Sequence, residues 1–145
     1  LRTFLRRVFR GRPKMLQAGS YAPEFRVMDH MGNERSLADF AGKRVVLWFY
    51  PKAEHLAERN KAMDSVIESK LAAKGVAVCG VSLDSVEDNR AFADKFEFPF
   101  PLLCDTGGEM SRAYGATSSA EDQYASRYTY VVGADGKIEQ AIDTK

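Results

Sequence analysis

The sequence predicts an α/β fold: a central mixed, mostly parallel sheet flanked by helices and preceded by an N-terminal β-hairpin. Three observations carry this. Val45–Tyr50 (VVLWFY) and Val76–Leu83 (VAVCGVSL) are unbroken runs of strand formers, apolar on both faces as strands covered on both sides must be. Between them, and again after the second, the apolar period becomes helical, so strand–helix–strand crossovers are implied. Turn chemistry at His30–Asn33 and Ala134–Lys137 closes two hairpins.

The elements follow in order. Phe25–Asp29 reads as a short strand and Glu34–Leu37 as its return. Ser36 with Asp39 suits a short helical turn over Leu37–Ala41, closed by Gly42. Pro51 stops the VVLWFY strand. From about Leu56 to Lys74, Met63, Val66, Ile67 and Leu71 share one helical face, and Gly75 ends that helix. Asp84 and Ser85 offer a cap for a helix over Val86–Phe96, with Ala91, Phe92 and Phe96 inward. Leu102–Cys104 is a short strand, Gly107–Tyr114 a short helix closed by Gly115, and Thr117–Ser126 a polar loop. Tyr128–Val132 and Ile138–Ile142 form the last hairpin. The chain stops directly after that strand, so a missing C-terminal helix, or a partner covering that side, is expected.

At 145 residues one domain is expected, over 15–145, with residues 1–14 as a basic amphipathic extension. Hydrophobic residues make up 45% and charged residues 28%, which excludes a disordered chain. The net charge of +1 gives the whole molecule no pull toward nucleic acid. The charge is uneven, however. Of the 21 Lys and Arg, six fall in residues 1–14 beside no acid, which leaves 15 against 20 acids in the rest. Leu1, Phe4, Leu5, Val8 and Phe9 recur at helical spacing among Arg2, Arg6, Arg7 and Arg10. Five readings of residues 1–14 stay open: a membrane-surface anchor, a partner-docking helix, part of a targeting segment, a solvated tail, or a remnant of a longer upstream segment. Two cysteines, Cys79 and Cys104, make no disulfide scaffold, so a reducing compartment is expected, cytoplasm or organellar matrix or stroma. No stretch of 18 apolar residues exists to span a membrane.

Three stretches carry a family resemblance. APEFRVMDHMGNERSLADFAGKRVVLWFYPKA and VSLDSVEDNRAFADKFEFPFPLLCDTGGEMSRAYGA, followed by RYTYVVGADGKI, resemble, in that order, peroxiredoxins of the alkyl hydroperoxide reductase/thiol-specific antioxidant family. The subgroup that fits is the one named for bacterioferritin comigratory protein. The resemblance covers about residues 15–143 and implies a thioredoxin fold of peroxiredoxin type. The family's signature is P-x-x-x-T-x-x-C with a distant Arg: the Thr orients the peroxide and the Cys attacks it from the first turn of a helix. Pro51 matches the Pro and Arg127 the Arg. His55 stands where the Thr belongs, Glu58 where the Cys belongs, and Leu56-Ala57 replaces the usual Pro-Gly. Met63 stands where the subgroup often keeps a resolving Cys.

Loss of the Cys is decisive for the chemistry. Peroxide cleavage needs a soft nucleophile that ends as sulfenate, and a carboxylate cannot supply one. The resemblance therefore implies a redox-inactive protein, acting as a binding or structural subunit of a larger assembly. The N-terminal segment and the uncovered C-terminal side are its expected contact surfaces. Pro51, His55, Glu58 and Arg127 would be a vestigial site, Glu58 filling the charge slot of the thiolate and facing Arg127. The rival reading is a divergent thiol peroxidase using Cys104, expected partly exposed at a strand end; a third is a small-molecule binder that keeps the pocket of Pro51, His55 and Arg127. Cys79 reads as core. His30 sits in a turn, and with His55 far away it makes no metal-site spacing. Gly107-Gly108 lacks the Lys-Ser/Thr of a phosphate loop, so no cofactor is expected.

Overall fold

The computed structural model describes residues 14–52, 73–97 and 100–143. Seven strands form one sheet: β1 Arg26–Asp29, β2 Glu34–Ser36, β3 Arg44–Phe49, β4 Val76–Ser82, β5 Leu102–Cys104, β6 Tyr128–Val132 and β7 Ile138–Asp143. Their order is β2-β1-β5-β4-β3-β6-β7. The central pairs β3/β4 and β4/β5 are parallel; β1/β2, β1/β5, β3/β6 and β6/β7 are antiparallel. Five of the seven strands thus point one way, with β1 and β6 reversed. Two described helices flank the sheet, α1 Val86–Phe96 and α2 Glu109–Ala113, and a 3-10 turn spans Leu37–Phe40. The helix expected over residues 56–74 falls almost wholly outside the described residues.

Alternation along the strands divides the core in two. On one face Val45, Leu47, Phe49, Cys79, Val81 and Leu103 meet Met110 and Tyr114 from the α2 side. On the other, Trp48, Tyr50 and Leu102 meet Phe92 and Ala93 of α1 and Phe100. Helix α1 starts where expected: Ser85 Oγ accepts from the Asp88 amide at 3.1 Å, filling one of the orphan donors of the first turn. Its inward face is Asn89, Phe92 and Ala93; Ala91, expected inside, is exposed. Spacing explains this: residues 89, 92 and 93 lie on one stripe, and 91 falls off it.

The β1–β2 hairpin is held by Asp29 rather than by its glycine alone. The carboxylate is 1% exposed. It accepts from the amides of Met31 and Asn33, each at 2.9 Å, and from Arg35 Nε at 2.8 Å. His30, set aside from sequence as a turn residue, has a tertiary role. Its Nδ1 accepts from the Leu102 amide at 3.1 Å and its carbonyl from Arg90 Nε at 3.0 Å, joining hairpin, β5 and α1. Burial disfavours the imidazolium and lowers the pKa of His30, which suits the neutral acceptor this contact requires.

Residues before β1 are stitched to an aromatic cluster of Phe49, Tyr114 and Tyr130. Tyr130 donates to the Tyr114 carbonyl at 2.6 Å and accepts from the Leu16 amide at 3.0 Å. Tyr114 donates to the Pro23 carbonyl at 2.5 Å. Gly115 permits this closure. Its φ is 72°, and an added Cβ would run into the Lys14 carbonyl. Gly75, at φ 75°, has nothing near its Cβ position. Gly75→Ala is therefore expected to cost only the left-handed strain, about 1 kcal/mol. Gly115→Ala should cost about 2 kcal/mol or more, because the strand of chain before β1 must move as well. Denaturant unfolding of the two variants side by side checks the difference.

Candidate functional site

In parallel sheets, ligands bind beyond the carboxyl ends of the strands. Strand β3 ends there at Phe49, followed by Tyr50 and Pro51; β4 ends at Ser82 and β5 at Cys104. Strand β6 enters from the same end, because its pairing with β3 runs antiparallel through Trp48↔Thr129. Pro51 and Arg127 therefore leave the sheet at one edge. Both are half-buried. Lys52 Nζ lies 6.0 Å from the ring centroid of Tyr124, which draws the 117–126 loop toward the chain after Pro51. That loop is braced by Asp122, whose carboxylate accepts from the amides of Ser118 at 2.7 Å and Ser119 at 3.2 Å.

His55 and Glu58 lie outside the described residues, and so does the expected approach of Glu58 to Arg127. So do Leu56, Ala57 and Met63. The fold thus brings Pro51 and Arg127 to one end of the sheet, and His55 and Glu58 follow Pro51 in the chain.

Along the same edge runs a buried polar network that sequence reading missed. Tyr50, fully buried, donates its hydroxyl to Asn89 Oδ1 at 3.5 Å. Asn89 Nδ2 is directed at Cys104 Sγ at 3.2 Å, the Asp84 carbonyl at 3.4 Å and Ser82 Oγ at 3.5 Å. Ser82 Oγ donates to Asp84 Oδ2 at 2.8 Å. The Tyr50 ring packs on Trp48. Its hydroxyl still needs a partner once buried. The signal available in the sequence was Asn89: a polar residue on the stripe it shares with Phe92 and Ala93 must find partners inside.

Cys104 is part of this network and is not partly exposed as expected; it is 5% exposed. Its thiol donates to the Leu102 carbonyl at 3.5 Å. Burial pushes its pKa up to about 11, against the smaller opposing effect of the Asn89 contact. Cys79, in the core as expected, is pushed up by burial to about 12. Both thiols are free, and they belong to opposite faces of the sheet, Cys79 with the α2 side and Cys104 with α1. Among the described residues no cluster of His, Cys, Asp and Glu is arranged to hold a metal. No helix among them is long and apolar enough to cross a membrane.

Residues 18–141 match the AhpC/TSA family. The chain belongs to that family. Within this AhpC/TSA protein's relatives, the chloroplastic peroxiredoxin Q of Sedum lineare is 37% identical over 124 residues, covering 83% of this chain and 66% of that protein. The corresponding protein of Gentiana triflora is 35% identical, and the chain spans 56% of its length. Peroxiredoxin Bcp of Escherichia coli K12 is 35% identical over 136 residues, covering 88% of this chain and 86% of that protein. These relatives make it a peroxiredoxin-like AhpC/TSA protein of the Q/Bcp kind. Among solved structures, peroxidoxin BcpB of Mycobacterium tuberculosis superposes with a TM-score of 0.75 over 90% of this chain and 87% of its own, at 24% identity. AhpC of the same organism gives 0.77 over 90% and 84%, at 21% identity. At those identities the likeness speaks for the fold, which is the thioredoxin fold of peroxiredoxin type.

Proposed function

We propose that this AhpC/TSA protein is redox-inactive and serves as a binding or structural subunit, with Pro51, His55, Glu58 and Arg127 as the remnant of a peroxidatic site. What carries the reading is the resemblance in sequence, which sets Glu58 where the family's attacking Cys belongs. A carboxylate can neither accept the peroxide oxygen nor pass through sulfenate. The state of the remaining thiols supports it. With a pKa of about 11, Cys104 carries about one thiolate in 10⁴ molecules at neutral pH, against about 3% for an ordinary cysteine. Cys79 carries still less.

The wild-type chain is therefore expected to consume no hydrogen peroxide or alkyl hydroperoxide with a thioredoxin-type reductant. Turnover that disappears in Cys104→Ser would overturn the reading in favour of a divergent thiol peroxidase. The subunit role is tested separately, by copurification from the native source. A stable companion protein is expected, and recovery of the chain as a lone monomer would remove that part of the proposal.

A further inference from the structure

Strand β1 meets β5 at two residue pairs, Met28↔Cys104 and Asp29↔Leu103. The next rung of this antiparallel ladder would set residue 30 opposite Leu102. There the backbone does not continue the pairing. The Leu102 amide donates to His30 Nδ1 at 3.1 Å, and the His30 carbonyl accepts instead from Arg90 Nε of α1 at 3.0 Å. The Leu102 N–H faces β1 because the preceding carbonyl, that of Pro101, turns to β4 and accepts from the Gly80 amide at 2.9 Å. An imidazole thus fills a backbone rung at the point where the hairpin turns away from the sheet.

This rung exists in one protonation state only. A neutral imidazole with its proton on Nε2 leaves a lone pair on Nδ1, whereas the imidazolium carries N–H at both nitrogens. Protonated, Nδ1 would meet the Leu102 N–H donor to donor, and an amide of a fully buried residue would lose its acceptor. The new charge would also stand near Arg90, the residue that holds the His30 carbonyl. His30 is half-buried, so protons reach it. The charged groups acting on it come from both flanking elements, Asp29 and Arg35 from the hairpin and Asp94 and Arg90 from α1. Strand β5 offers it Leu102, Leu103 and Cys104, a thiol that stays neutral until about pH 11. Burial acts on the imidazole most strongly and favours the neutral form, as do Arg90 and Arg35; Asp29 and Asp94 oppose them.

We propose that His30 is an acid-sensitive latch, whose protonation releases the tip of the β1–β2 hairpin from β5 and α1. Above the ordinary histidine range the latch is closed. As pH falls through about 6.5, the released hairpin takes up the proton first. The open population then rises until the imidazole of the closed state titrates as well. The latch works the same way whatever chemistry position 58 supports.

Amide hydrogen exchange of the full chain, followed by NMR with each rate taken relative to the intrinsic rate at that pH, reads the open population. Protection of the Leu102 amide is expected to fall about five-fold between about pH 7.5 and pH 5, a change equivalent to the net worth of one hydrogen bond. The contacts of Asp29 are lost only below about pH 4, outside this window. His30→Gln keeps a neutral acceptor and cannot titrate, so its protection should stay flat. The imidazole of the wild type, followed through its carbon-bound protons, should titrate below about 6.5, at the pH where the loss of protection levels off. Constant protection in the wild type would overturn the proposal, and so would an equal loss in His30→Gln. Where Gln misfits and leaves Leu102 unprotected at every pH, the wild-type titration decides: an imidazole titrating at or above the ordinary value refutes the latch.

Discussion

The double variant His55→Thr/Glu58→Cys is expected to gain a thiol that peroxide oxidises to sulfenate at least about a hundred-fold faster than Cys79 or Cys104. The magnitude follows from two opposing effects. A cysteine in the first turn of a helix, with a cation near it, titrates at about 7 or below, whereas Cys104 titrates at about 11. Four units give about 10⁴ more thiolate at neutral pH, and the lower basicity returns about 10² of that in nucleophilicity. The remaining advantage of about 10² is read by sulfenate-specific labelling and mass spectrometry of the peptide containing residue 58. Pro51 and Arg127 both stand at the carboxyl end of the central strands, the end at which this test acts. Oxidation of residue 58 no faster than of Cys104 would show that the site around them no longer has the family's geometry.

Replacing Asp29 by Ala is expected to destabilise the domain by about 3 kcal/mol, lowering Tm by roughly 10 °C for a chain of this size. The side chain is 1% exposed and accepts three hydrogen bonds. Its loss leaves the Met31 and Asn33 amides and Arg35 without their acceptor. Arg35 is 34% exposed along its side chain and recovers part of its solvation, which keeps the cost below that of a fully buried pair. The pH dependence has a definite sign. Burial alone would raise the Asp29 pKa, but the hydrogen bonds from Arg35, Asn33 and Met31 outweigh it and hold the carboxyl below its ordinary value. The unfolded chain therefore takes up this proton first as pH falls. The stabilisation is present above the ordinary carboxylate pKa, about 4, and is lost as pH falls through the lower native value. Asp29→Asn, which keeps the shape and removes the titration, should flatten the acid limb of the stability profile in denaturant unfolding between about pH 5 and pH 2.

Local chemistry was legible residue by residue. The Val86–Phe96 helix and its Ser85 cap, the β6 strand and both hairpin turns appear where spacing and turn residues put them. Strand ends moved by a residue: Phe25 precedes β1, and Leu37 opens the 3-10 turn instead of closing β2. Ala91 and Cys104 show where local reading stopped. Ala91 is apolar yet off the stripe, and Cys104 sits at a strand end yet beneath Asn89 of α1. Neither residue's neighbours in sequence reveal what the sheet brings over it.

By itself, the sequence determined the strands that alternate with helices, the turns between them, and the resemblance to the AhpC/TSA family. These depend on contacts within a few positions, or on residue identity alone. Only the tertiary structure decided that β1 pairs antiparallel with β5 and β6 with β3, setting Pro51 and Arg127 on one edge. It alone decided that His30 accepts from β5, that Tyr50, Asn89 and Cys104 form one buried network, and that Lys14 meets Gly115. Those contacts join residues from 15 to over 100 positions apart, where pairing is chosen by burial and hydrogen-bond satisfaction across the whole sheet.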